Sequence, residues 1–125
     1  MKIIHSNQAP AAVGPYSQAI AAGGFIFASG QIPLDPETGA IQGEEITAQT
    51  EQIIRNISAV LSEAGSDLAH VVKTTCFLQS MADFSAFNAV YEKYFIGKPA
   101  RSCVEVSALP KGALAEIEVI ALPLE

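Results

Sequence analysis

Arginine occurs at only two positions in this chain, Arg55 and Arg101, and the two read differently. Arg55 lies four residues after Glu51 on a helical pattern, where an i, i+4 ion pair explains it. Arg101 opens a strand-like run directly after Pro99-Ala100. A guanidinium presents a planar fork of N–H donors matched to a carboxylate. Glu116 is a carboxylate inside a run otherwise rich in apolar residues. On one face of a hairpin, Arg101 and Glu116 would set an anion clamp beside a proton acceptor. The same two residues would equally make an ordinary structural salt bridge, and composition alone leaves both readings open.

Other chemical motifs are scarce. There is no GxGxxG, and Gly97-Lys98-Pro99 lacks the glycine loop and the Ser/Thr of a phosphate-binding loop. Two histidines, His5 and His70, without spaced Cys or carboxylate partners predict no metal site. Asp67 and His70 could imitate part of a triad, but they fall in a connector and read as surface residues. Cys76 and Cys103 form no CxxC and sit in apolar runs, as reduced sheet cysteines would. Asn56-Ile57-Ser58 matches a glycosylation sequon but falls mid-helix with Ile57 on the packed side.

These residues must be positioned by a small fold. At 125 residues, the chain predicts one domain spanning 1–125, large enough for a core without staples. It is 50% hydrophobic and 16% charged, a globular balance. Seven basic against thirteen acidic side chains give a net charge of −6, which disfavours nucleic-acid binding by phosphate neutralisation and a polybasic membrane anchor. Ile3 to Leu34 lacks formal charge apart from His5, but Pro10, Pro15 and Pro33 and several glycines break any spanning helix. Only Ile3 and Ile4 lie between Lys2 and His5, so no signal-peptide core is expected and a cytoplasmic location is.

Ile46, Ile53, Ile57, Val60, Leu61 and Ala64 recur at helical spacing and predict a helix over 46–64, stopped by Gly65. A second helix is expected over 84–95, with Asp83 as N-cap, a buried stripe of Phe84, Phe87, Val90, Tyr91 and Tyr94, and Gly97 and Pro99 beyond it. Strands are expected at 2–5, 18–22, 25–29, 71–78, 101–107 and 114–122. Gly23-Gly24 reads as a hairpin turn, and Leu109-Pro110-Lys111-Gly112 as the turn of a second hairpin. The order β-β-β-α-β-α-β-β predicts an α+β fold, both helices on one face of a mixed six-stranded sheet. Ala115, Ile117, Val119 and Ala121 suit the helix-packed face. Glu116, Glu118, Ile120 and Leu122 mix acid and apolar groups on the other, as Arg101, Cys103 and Glu105 alternate with Ser102, Val104 and Val106. An uncovered face of that kind is expected to pack against another subunit, with a site between chains.

Three segments resemble the signatures of the RidA family, the reactive intermediate deaminases. They are Ala9-Pro10-Ala11-Ala12-Val13-Gly14-Pro15-Tyr16-Ser17-Gln18-Ala19; Ala28-Ser29-Gly30-Gln31-Ile32-Pro33 with Asp35-Pro36-Glu37-Thr38-Gly39; and Pro99-Ala100-Arg101-Ser102-Cys103-Val104-Glu105-Val106 with Leu109-Pro110 and Glu116-Ile117-Glu118. They keep their order from one end of the chain to the other. The resemblance implies a homotrimer whose sheets form a central core with three intersubunit clefts. It implies hydrolysis of short 2-imino acids and their enamine tautomers, released by pyridoxal-phosphate dehydratases, to 2-oxo acids and ammonia, without cofactor or metal. It assigns Arg101, Glu116 and Tyr16 to catalysis, and Arg101, Cys103, Asn88, Ser29 and Gly30 to substrate binding. The implied partner is the small-molecule imino acid, while the acidic charge argues against nucleic acid and membrane as partners. The rival reading is a non-catalytic trimer that binds 2-oxo acids or acts as a regulatory or chaperone-like protein.

Overall fold

The computed structural model describes residues 1–125. Its main elements are β1 (Lys2–Ile4), β2 (Ala19–Ala22), β3 (Phe25–Gln31), α1 (Ile46–Glu63), β4 (Val71–Leu78), α2 (Phe84–Tyr94), β5 (Ala100–Glu105) and β6 (Ala115–Ala121). The strands form one six-stranded sheet in the order β1-β2-β3-β6-β4-β5. Only β4 and β5 run parallel, and α2 carries the crossover between them. No helix is long and apolar enough to cross a membrane.

Period-2 alternation fixes which side chains meet the helices. In β6, Ala115, Ile117, Val119 and Ala121 are buried, while Glu116, Glu118 and Ile120 point the other way. Ile53, Ile57, Val60 and Leu61 of α1 and Phe87 and Val90 of α2 close over that buried face. Fully burying each such side chain stabilises the fold by about 1.5–3 kcal/mol. Gly65 ends α1 at φ 78°, and Ser66 N–H reaches back to Leu61 O at 2.8 Å. That left-handed stop suits glycine because it has no Cβ to clash.

The opposite face has no covering layer. Phe25, Phe27, Val104 and Leu122 are exposed on or beside it, with Ile3 on the edge strand 61% exposed. Edge strand β5 presents its outer side without a partner strand.

Several sequence expectations are corrected. β5 and β6 are not a hairpin: β4 lies between them, pairing parallel with β5 and antiparallel with β6. The Pro110–Gly112 turn is a short 3₁₀ segment that carries the chain across β4 to the next position. Arg101 and Glu116 do not share a face, because Arg101 pairs with Thr74 and hence with buried Val119, while Glu116 pairs with Phe77 on the open side. Glu51 does not pair with Arg55; it meets Lys93 Nζ at 3.5 Å and accepts the Tyr94 hydroxyl, clamping α1 to α2. Asp83 occupies the N-cap of α2 without a side-chain capping bond, because a 3₁₀ turn over Met81–Asp83 leads directly into the helix. Tyr94 leaves the buried stripe and is 36% exposed, drawn outward by Glu51.

Candidate active site

Two clefts hold Arg101, Asn88, Tyr16, Ser29, Gly30 and Glu116, and they open on different sides of the sheet. Each is about 470 Å³. Arg101 and Asn88 line one; Tyr16, Ser29, Gly30, Glu116 and Glu118 line the other.

The first is built on the parallel pair β4/β5 and on α2. Arg101 stands beside Thr74 in register, on the helix side. Its Nη1 donates to Asn88 Oδ1 at 2.7 Å. The guanidinium lies 4.7 Å from the Tyr91 ring centroid and 5.5 Å from that of Phe84. Phe84, Asn88 and Tyr91 sit at i, i+4 and i+7, so one stripe of α2 supplies all three contacts. Arg101 has no acidic partner; the ion pairs of the chain are His70–Asp67 and Lys93–Glu51. A half-buried arginine with one N–H committed to an amide and two rings against it retains donors for a bidentate carboxylate.

Cys103 lies on the same side, next to Cys76 across the strands. Burial pushes its thiol up, against the opposing pull of Arg101, and burial drives Cys76 to about 12. Both stay neutral thiols, which suits packing and not nucleophilic attack. Cys103 sits behind Arg101 and does not line the cleft.

The second cleft is made by a bulge. Between Ala28 and Gln31 the register of β3 against β6 shifts, so Ser29 and Gly30 together face the β6 backbone near Glu118. The Glu116 side chain lies over Gly30 so closely that a Cβ there would sit 2.9 Å from its Cδ and clash with the carboxylate. Glycine is what permits this approach. Burial raises the Glu116 pKa above the ordinary carboxylate value, and Glu118 two residues along adds like-charge repulsion. Ser29 donates its hydroxyl to Ser17 O at 2.6 Å and its N–H to Gln18 O at 2.9 Å. Gln18 in turn accepts from Ser6 N–H at 2.6 Å and donates to Pro10 O at 2.8 Å. These bonds pin both ends of the loop that carries Tyr16, a residue 54% exposed at the cleft.

The structure thus brings Arg101 to Asn88, and Tyr16, Ser29 and Gly30 to Glu116. It does not bring the two groups together in one chain. Sequence reasoning placed Tyr91 and Phe84 as core and did not single out Thr74; an aromatic at helical spacing carries no sign that a guanidinium will rest on it. Asp67 and His70 bond each other at 2.7 Å on the surface, as expected.

Known proteins match this chain over nearly its whole length. A family profile described as Endoribonuclease L-PSP matches residues 6–123. A RutC family protein of Synechocystis is 56% identical, with 98% of this chain and 96% of the relative covered. Among solved structures, YyfA of Yersinia pestis, described as a member of the conserved Rid protein family, superposes with a TM-score of 0.94 at 52% identity, covering 97% of this chain and 98% of that one. Escherichia coli TdcF, solved with bound serine, gives a TM-score of 0.94 at 38% identity, covering 99% and 100%. With its matched length and its two helices over a mixed sheet, the chain belongs to the Rid family, which the endoribonuclease L-PSP and RutC descriptions also denote.

Proposed function

We propose that this protein hydrolyses short 2-imino acids, and their enamine tautomers, to 2-oxo acids and ammonia in clefts between the subunits of a homotrimer. The observation that carries the reading is the unpaired Arg101, braced by Asn88 with donors to spare. Its complement is a carboxylate of raised pKa, Glu116, aimed into a separate cleft. β5 is an edge strand, so Arg101 stands where a neighbouring copy can approach. The uncovered apolar face, including Phe27 and Val104, supports burial against that copy.

The roles follow from the chemistry. Arg101 holds the substrate carboxylate bidentately. Water adds its oxygen to the C=N carbon and yields a proton to Glu116. The imine nitrogen, protonated, becomes an amine on the tetrahedral carbon. Glu116 returns its proton to the departing nitrogen, the C–N bond breaks, and the remaining hydroxyl passes its proton to the released ammonia as the carbonyl forms. Tyr16 orients water or substrate at the cleft mouth, and Ser29 and Gly30 present backbone to the ligand. Cys103 supplies backbone, not thiol chemistry. No metal or cofactor is invoked. The serine named in the TdcF structure supports a ligand of this size carrying a carboxylate and a nitrogen on one carbon.

The alternative, a non-catalytic binder of 2-oxo or amino acids with a regulatory role, would use the same Arg101 clamp. Ribonuclease action, suggested by the family's description, is disfavoured by the net charge of −6. Catalysis separates these readings. Threonine dehydratase generates 2-iminobutanoate, and 2-oxobutanoate release is followed with and without this protein. Acceleration that survives exhaustive EDTA treatment supports the deaminase; no acceleration with retained 2-oxobutanoate binding supports the binder.

A further inference from the structure

We infer that Thr74 and Tyr91 form a positioning device that sets the orientation of Arg101 from beneath. The inference rests on the reading of Arg101 as the carboxylate clamp. Thr74 is fully buried and is the residue paired with Arg101 across β4/β5. Its Oγ1 shares a 2.7 Å hydrogen bond with the Tyr91 hydroxyl, and either group can donate. Cys76 Sγ lies 3.8 Å from the same Oγ1 and gives it a weak second partner. Tyr91 is also held by Phe95, stacked at 4.4 Å between ring centroids and 30° between planes.

The consequence is geometric. A tyrosine ring held at its hydroxyl and at one face cannot rotate or slide. The guanidinium rests over this ring, 4.7 Å from its centroid. A mobile ring would leave a long, rotamer-rich side chain to lose its freedom on ligand binding, which weakens affinity. With the platform locked, Asn88 needs only one N–H of Arg101 to fix the rotation that remains. Thr74 never touches the ligand; it acts through Tyr91, and Tyr91 through Arg101. Burial also raises the Tyr91 pKa, so its hydroxyl stays neutral and keeps the bond.

Tyr91→Phe and Thr74→Val each delete one hydroxyl with little change of shape and leave the other buried and poorly partnered. Because Arg55 and Arg101 are the only arginines, ¹⁵N relaxation of the Nε–Hε groups reads Arg101 directly, with exposed Arg55 as internal reference. In the wild type Arg101 should be rigid and Arg55 mobile. In both variants the Arg101 order parameter should fall toward that of Arg55, and 2-oxobutanoate affinity should weaken about tenfold. KM should rise with kcat nearly unchanged, and Thr74→Ser, which keeps the hydroxyl, should restore both. An Arg101 as mobile as Arg55 in the wild type would overturn the inference. So would variants that melt earlier while Arg101 rigidity and ligand affinity stay at wild-type values. If Arg101 loosens as expected but 2-oxobutanoate binds neither wild type nor variants, the positioning device stands and the substrate reading fails.

Discussion

Arg101 and Glu116 project from opposite faces of the same sheet. Arg101 is in register with Thr74, and Thr74 with buried Val119, which places all three on the helix side. Glu116 is in register with Phe77, and Phe77 with exposed Val104, on the open side. On the proposed reading, one chain carries two half-sites, an arginine half at the β5 edge and a carboxylate half at the β3 bulge.

A pair of half-sites predicts complementation between subunits. Arg101→Ala and Glu116→Gln should each be inactive as pure proteins. Mixed in equal amounts under conditions of subunit exchange, they should recover about a quarter of wild-type activity, since random assembly gives that share of clefts both intact residues. Recovery is read as 2-oxobutanoate release. Light scattering should report a trimer at micromolar concentration; a monomer, or no recovery after proven exchange, would place both half-sites in separate chemistry.

Arg101→Lys keeps the charge and loses the planar fork, the Asn88 geometry and the stacking on Tyr91. The kcat/KM should fall by about 10²-fold or more, roughly 2.7 kcal/mol of transition-state stabilisation. Product 2-oxo acid should bind more weakly as well. Full activity together with full binding would remove the clamp assignment.

Glu116 should govern the acid limb of the pH profile. As a base it works only when ionised, so turnover falls as pH drops through its pKa, which burial and then Glu118 hold above the ordinary value of 4.5. Glu118→Gln should move that limb to lower pH, because it removes the like charge. Glu116→Gln should abolish turnover while 2-oxo acid binding persists. Linkage gives a second readout. A folded-state pKa above the unfolded one means that protonation stabilises the fold; this contribution is complete below the unfolded pKa and lost as pH rises through the folded one. Above that range Glu116→Gln should therefore melt at a higher temperature than the wild type, as followed by circular dichroism.

Gly30→Ala tests the close approach at the bulge. A methyl group would occupy the space now filled by the Glu116 carboxylate, 2.9 Å from its Cδ. The carboxylate can swing aside, so the fold should persist while kcat drops about tenfold or more from a misplaced base. Binding of 2-oxobutanoate should fall less than kcat, because the Arg101 clamp stands on the other face. Unchanged kcat would show that Glu116 acts from a different rotamer.

The sequence alone determined the elements. Period-2 and 3.6-residue spacing encode which side chain turns inward, and both are local; hence Val71–Leu78 was legible to the residue, and Gly65 marked the end of α1. It also determined which residues carry chemistry, because a lone arginine after Pro-Ala and a glutamate in an apolar strand stand out by type. Strand adjacency was not legible. Nothing local in Arg101–Ser107 and Leu114–Leu122 states that β4 will insert between them, since a short connection satisfies either a hairpin or a step over one strand. That insertion, with parallel pairing to β4, decided that Arg101 faces α2 while Glu116 faces away. The Tyr91 platform and the Glu116–Gly30 contact were equally hidden, because each joins residues far apart in sequence whose meeting depends on crossover and bulge. Side-chain type is written in the chain; the face on which a side chain meets its partner is set by which strands share hydrogen bonds, and only the assembled sheet decides that.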